Sequence, residues 1–226
     1  MTVLATRPDV LPALLRRITG DEKHAPSAHS TLDVLWVLYD RILRISPETV
    51  DAPDRDRFLL SKGHGPAAYY AVLAAKGFIP VELLDHTGEW DSPLGWHPDR
   101  VLIPGVEIGT GSLGHGLGLA VGTALGLRAQ HFREARTFVL VGDAELDEGS
   151  NFEPIAYAAA TRLPLTAIVI DNRSSTHGWP GGIASRFVGW HVSIVDGRDR
   201  DALERALAPR PDHPRVVIAT VEPKGA

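Results

Sequence analysis

Two kinds of apolar pattern alternate along the chain. Residues 137–141, 165–170 and 216–221 are short runs too uniformly apolar to face water on one side, so they read as strands buried on both faces. A short strand within 56–65 runs into the glycine-flanked His64, and residues 191–195 read as a further strand. Between them lie segments with helical spacing. Leu32, Leu35, Trp36, Tyr39, Ile42 and Leu43 fall on one side of a helix predicted over 31–45, and Leu11, Leu14, Leu15 and Ile18 do the same over 10–18. An alanine-rich helix is predicted over 152–161, with Ser150 or Asn151 as its cap and Pro154 in its first turn. A helix opens at Pro66 and stops at Gly77, another covers 117–127, and short ones cover 185–190 and 199–207. Strands separated by helices predict an α/β fold, a mostly parallel sheet with helices on both faces. The 137–170 unit is strand–helix–strand and should cross over right-handed, which puts residues 143 and 172 at the carboxyl ends of two strands of one sheet. Open parallel sheets bind ligands at that edge.

Composition narrows the reading rather than changing it. The 226 residues suit one domain over 1–226 with ample core, at 44% hydrophobic and 23% charged. A net charge of −5 leaves no basic footprint for nucleic acid. The chain has no cysteine, which removes disulfide and thiolate chemistry and suits a cytoplasmic protein. Its start lacks an apolar signal core, and 117–127 is too short to span a membrane.

Candidate chemistry gathers where the buried runs end. Gly142-Asp143-Ala144 follows the first and Asp171-Asn172 the second. A carboxylate beside an amide oxygen makes a hard oxygen site for Mg²⁺ or Ca²⁺, and Mg²⁺ completes such a shell with phosphate and water. Backbone N–H groups opening a helical turn after Asp143 favour an anion. Metal plus phosphate is the local reading. His64 stands between Gly63 and Gly65, an arrangement that lets the imidazole approach a ligand closely. Gly109, Gly111 and Gly114 match a dinucleotide loop, but Pro104 and Glu107 stand where a buried strand should precede it, and we reject that reading.

These motifs, in this order, resemble the N-terminal half of transketolase, and the resemblance covers nearly the whole chain. Asp56-Arg57-Phe58 through Ser61 to Gly63-His64-Gly65, His97-Pro98, Gly105-Val106-Glu107 through Leu113-Gly114, and Gly142-Asp143 through Asn172 all correspond. The resemblance implies thiamine diphosphate held by His64, Gly111, Leu113, Gly142, Asp143, Ala144 and Asn172. It implies a metal ion on Asp143, Asn172 and the carbonyl of Ser174, and histidines His29, His64 and His97 acting on substrate and diphosphate. His29 is matched on its place shortly before the 31–45 helix.

It further implies transfer of a two-carbon ketol unit from a ketose to an aldose. Only the diphosphate-binding half is represented, so a separately encoded pyrimidine-binding subunit is expected, in an α2β2 assembly. Gly118, Gly122 and Gly126 line one helix face, read either as packing on the chain's own sheet or as a subunit interface, with the interface favoured. Ala144 replaces a family glycine, adding a Cβ near the diphosphate while its N–H remains available. His115 replaces a glutamine, His177 has no counterpart, and one more histidine, which related subunits carry in a following loop, is expected to be missing or to come from elsewhere. The acidic turn Glu145-Leu146-Asp147-Glu148 resembles that of pyruvate dehydrogenase E1 chains. Another thiamine-dependent enzyme and a catalytically degenerate, partner-binding subunit stay open as alternatives.

Overall fold

A computed structural model of the chain describes residues 7–20, 24–64, 66–208 and 213–223. Five strands form one sheet in the order β1-β2-β3-β5-β4, with every neighbouring pair parallel. They are β1 (Arg57–Leu60), β2 (Thr137–Gly142), β3 (Leu165–Asp171), β4 (His191–Asp196) and β5 (Arg215–Thr220). The two-residue period of each strand sorts its side chains between two cores. Phe58, Leu60, Phe138, Leu140, Ile168, Ile170, Val217 and Ala219 face one. Leu59, Val139, Val141, Ala167, Val169, Val216 and Ile218 face the other.

Each core is closed by helices. α1 (Leu11–Leu15), α2 (Ala25–Val37), α3 (Ala67–Ala75) and α6 (Arg200–Leu207) cover the first. α4 (Gly116–Ala129) and α5 (Phe152–Ala160) cover the second. The α/β architecture with helices on both faces is therefore as expected. No helix among the described residues is long and apolar enough to cross a membrane.

Several elements depart from the pattern. α2 begins at Ala25, not at residue 31, because Pro26 sits in the first turn, where a missing N–H is harmless. The helix passes into a wider turn over Leu38–Ile42 and ends as Leu43 becomes extended. Neither Ser150 nor Asn151 caps α5. Ser150 instead donates to the Gly114 carbonyl at 2.9 Å, and Asn151 donates to the Glu145 carbonyl at 2.7 Å. The helix predicted over 185–190 is only a 3-10 turn, Ile183–Arg186, lying between Gly182 and Gly189, which both have positive φ. α6 starts as expected, with the Asp199 carboxylate accepting from Asp201 and Ala202 N–H groups.

Candidate active site

The carboxyl edge of the sheet is built on the ends of β2 and β3. Gly142 pairs with Ile170, and the next N–H, that of Asp143, donates to the Ile170 carbonyl at 3.0 Å. The chain then turns into a 3-10 segment, Ala144–Asp147. Asp143 and Asn172 are thereby carried below the surface, at 2% and 3% exposure.

The two buried groups differ in how they are satisfied. Asp143 Oδ1 accepts from Ala144 N–H at 2.8 Å and from the Ser174 hydroxyl at 2.5 Å. Its Oδ2 accepts from the N–H groups of Ser174 at 2.6 Å and Ser175 at 3.1 Å. A carboxylate has about four acceptor sites, so all are taken, every one by a neutral donor. Asn172 Oδ1 is buried and has no hydrogen-bond partner. An amide oxygen left so costs about 1–3 kcal/mol, a cost that a hard cation would remove. The donor set, one carboxylate and one amide oxygen, fits Mg²⁺ completed by phosphate and water better than an all-protein cage. Among the described residues no cluster of three or more His, Cys, Asp or Glu side chains forms such a cage.

One sequence expectation needs correction here, and a second residue is held in a way that bears on the site. The N–H of Ala144 is not available, because it donates to Asp143. Ser174 meets Asp143 through its N–H and hydroxyl, so a cation on Asp143 has to displace a donor, most cheaply the rotatable hydroxyl. Arg173, just before it, has φ 55°, a left-handed conformation uncommon for a long side chain.

Asp147, beside this site, is not singled out by the sequence, although its acidic turn stands out. It gathers the loop beyond Ser174, accepting from the Ser175 hydroxyl at 2.8 Å, Thr176 N–H at 3.0 Å and Trp179 Nε1 at 3.0 Å. Burial alone would raise its pKa; the donors of Ser175, Trp179 and Thr176 outweigh that and hold it at about 2. Arg186 stacks on the Trp179 ring at 4.1 Å and donates to the Leu146 carbonyl. His177 lies 5.8 Å from the Trp179 ring centre.

Glu145 joins three elements below the site. It accepts from the Ser61 hydroxyl after β1, from Gly114 N–H at 3.1 Å and from Gly142 N–H at 3.2 Å. Burial pushes its pKa up, against those donors. Ser61 in turn accepts from Gly116 N–H at 3.1 Å, so the glycine-rich loop is pinned at the start of α4. The fit leaves no room for side chains: a Cβ on Gly116 would lie 2.2 Å from Ser61 Cβ.

Along this loop Gly111 and Leu113 are exposed, and Gly111 has φ 120°, backbone that only glycine adopts easily. His97 Nδ1 is 2.9 Å from Thr110 Oγ1. His64 and His97 have ring centres 6.4 Å apart. Gly65 lies outside the described residues.

His24, rather than His29, completes this group. The His24 ring stacks on His64 with centres 4.7 Å apart and planes within 10°. His29 lies inside α2, is exposed, and its carbonyl accepts from Arg198 at 2.8 Å. The signal is present in the sequence: with Pro26 in the first turn, the histidine shortly before the helix is His24.

The glycine face of α4 is also resolved. A Cβ on Gly118, Gly122 or Gly126 would meet nothing within 4 Å. These glycines do not pack on the chain's own sheet, and Leu119, Phe152 and Tyr157 are exposed on α4 and α5.

Comparison with known proteins agrees with the fold. The family model described as "Transketolase, thiamine diphosphate binding domain" matches residues 19–221. Ferredoxin fas2 of Rhodococcoides fascians is 56% identical over 96% of this chain and 73% of its own length. The present chain has no cysteine to hold an iron–sulfur cluster. The 6-deoxy-6-sulfo-D-fructose transketolase subunit of a Clostridium strain is 34% identical over 94% of this chain and 84% of its own. A subunit of the apulose-4-phosphate transketolase of Actinobacillus succinogenes is 40% identical over 90% of this chain and 77% of its own. Among solved structures, a Pichia stipitis transketolase superposes with a TM-score of 0.74 at 26% identity, covering 88% of this chain but 36% of that one.

Proposed function

Because the chain belongs to the transketolase thiamine-diphosphate-binding family, we propose that it is the diphosphate- and metal-holding subunit of a split transketolase-like enzyme. It takes part in moving a two-carbon ketol unit between sugars or sugar-like substrates. Relatives of similar span are named as transketolase subunits, which supports a separate partner chain carrying the aminopyrimidine-binding half. The whole of residues 1–226 is read as one domain.

The observation that carries this reading is the buried, unpartnered oxygen of Asn172 beside Asp143. Asp143, Asn172 and the Ser174 carbonyl would hold Mg²⁺, or Ca²⁺ in its place. Gly142, Gly111, Leu113 and His64 would hold the diphosphate, with Ala144 opening the turn beside it. Thiamine diphosphate supplies a stabilised carbanion that carries the two-carbon unit. The chain's own residues orient the substrate and exchange its hydroxyl protons, a task that falls to His24, His64 and His97. The open face of α4 and α5 joins two copies of this chain, each with one partner, in a cytoplasmic α2β2 assembly.

The test compares the purified chain with the chain plus its partner subunit, using ketose and 2-oxo acid donors, Mg²⁺ and thiamine diphosphate. Ketol transfer should appear only in the mixture and only from ketoses. His24→Ala should reduce kcat far more than His29→Ala. Robust transfer by the isolated chain would overturn the split-enzyme reading, and turnover of 2-oxo acids alone would overturn the substrate class.

A further inference from the structure

The amino edge of the sheet, opposite the site, holds two adjoining cavities of about 490 and 310 Å³. The larger lies where α4 ends and the chain turns into β2. Its walls join two cations, Arg128 and Arg133, with His131 and the apolar Leu127, Phe132 and Pro164, and carry no acidic residue. Its volume is in the range of small-molecule sites, roughly 300–1,000 Å³.

Local chemistry there exceeds what helix termination requires. α4 closes with Phe132 N–H donating to the Leu127 carbonyl at 3.0 Å and His131 N–H to the Arg128 carbonyl at 3.1 Å. Glycine fills the left-handed position of this motif without strain. Here it is His131, at φ 63°. One basic side chain in the last turn, Arg128, would answer the helix dipole. Arg133 and His131 add to it, and neither Arg128 nor Arg133 has a side-chain hydrogen bond or ion pair among the described residues.

Thr137 supplies a separate observation. It opens β2, lines both cavities and is 2% exposed, and its buried hydroxyl has no partner. The smaller cavity continues past Arg133 to His213 and Arg215, with Glu134 its one acidic lining residue.

We propose that this amino-edge cavity binds a small organic anion, a phosphate monoester or carboxylate with an apolar body. The anion lies between Arg128 and Arg133 beside the His131 ring, the body rests on Leu127, Phe132 and Pro164, and the Thr137 hydroxyl donates to the ligand. The site is distinct from the carboxyl edge: Thr137 and Asp143 are six steps apart along the strand, roughly 20 Å.

Phenyl phosphate, benzoate and inorganic phosphate serve as probes, titrated into the ¹⁵N-labelled full chain saturated with Mg²⁺ and thiamine diphosphate. Phenyl phosphate or benzoate should bind saturably, shift the His131 and Phe132 amides, and bind more tightly than inorganic phosphate. Their relative affinity separates phosphate esters from carboxylates. Changing both Arg128 and Arg133 to Ala should weaken binding by about a hundredfold. His131→Gly should raise the melting temperature yet weaken binding, whereas a merely structural histidine would leave binding unchanged. No saturable shift at millimolar concentration, or equal affinity in the double arginine variant, overturns the proposal.

Discussion

Asp56 and Asp143 are buried carboxylates at the ends of neighbouring strands, and the partners around them differ in kind. Asp56, just before β1 at the amino edge, is 0% exposed and accepts from the backbone N–H groups of Arg44 and Arg136, both at 2.9 Å. The same two residues turn their guanidinium groups onto it. Asp143, just after β2 at the carboxyl edge, is held by backbone and hydroxyl donors, with no cationic side chain on it among the described residues. Hydrogen bonds satisfy geometry; they do not neutralise charge, and a buried charge is costly unless paired. One carboxylate is closed into the fold by the chain's own arginines, and the other meets only neutral donors among the described residues.

If that contrast is right, Asp56→Ala should be the most damaging change, because it removes the fully buried acceptor shared by the backbone N–H groups and guanidinium groups of Arg44 and Arg136. Leaving the two backbone donors without their acceptor costs about 1–3 kcal/mol each, readable in urea denaturation. A loss below about 1 kcal/mol would place Asp56 among ordinary surface groups.

Asp143→Ala should behave in the opposite way. Removing an uncompensated charge offsets the lost hydrogen bonds, so stability should change by about 1 kcal/mol or less. Mg²⁺-dependent binding of thiamine diphosphate should fall by more than about a hundredfold, since outer-shell changes alone cost about 10–100-fold. Calorimetric titration checks the affinity. Destabilisation equal to that of Asp56→Ala, with affinity kept, would make the two carboxylates alike and remove the site.

The contrast also marks what can be read from the sequence. The central strands are legible because burial on both faces leaves unbroken apolar runs, and Asp143 and Asn172 follow from their strand ends. Physical causes that are not local stay hidden. Asp147 draws its donors from a loop far along the chain, so nothing near it distinguishes it from the other acids of its turn. His29 looks better placed than His24 because the first turn of α2 is polar enough to resemble a break, and the stacking of His24 on His64 needs β1 and α2 to meet. The unpartnered oxygen of Asn172 is a property of the packed structure alone.

Asp147 tests whether the loop beyond Asn172 is held independently of a cation. Its folded pKa of about 2 lies below its unfolded value near 3.8. A depressed carboxylate stabilises the fold above the unfolded value and loses that effect as pH falls through the folded one. Amide exchange at Ser175 and Thr176 should therefore stay slow from neutral pH down to about 4, after allowing for the pH dependence of intrinsic exchange, and quicken between about 4 and 2. Asp147→Ala should speed exchange in that loop at neutral pH while sparing β2. An exchange rate in the loop unaffected by that variant would show that other contacts hold it.

Ala144 gives the smallest expected effect and the finest test of the carboxyl edge. A glycine at this place is the family pattern, and a glycine is required only if the backbone is left-handed or the Cβ has nowhere to go. The first condition fails here: Ala144 opens a 3-10 turn and is not among the described non-glycine residues with positive φ. The second is open to measurement, since the half-buried methyl lies next to the carboxylate that would hold the metal. Ala144→Gly adds freedom to the unfolded chain and removes no strain, so stability should drop by about 0.5–1 kcal/mol. Affinity for thiamine diphosphate should remain within about twofold, because the N–H that donates to Asp143 is kept. A gain in affinity of about tenfold or more, equivalent to about 1.4 kcal/mol, would mean that the methyl crowds the diphosphate and that this chain carries a weakened site. A loss of the same size would mean the alanine positions the turn, and with it Asp143.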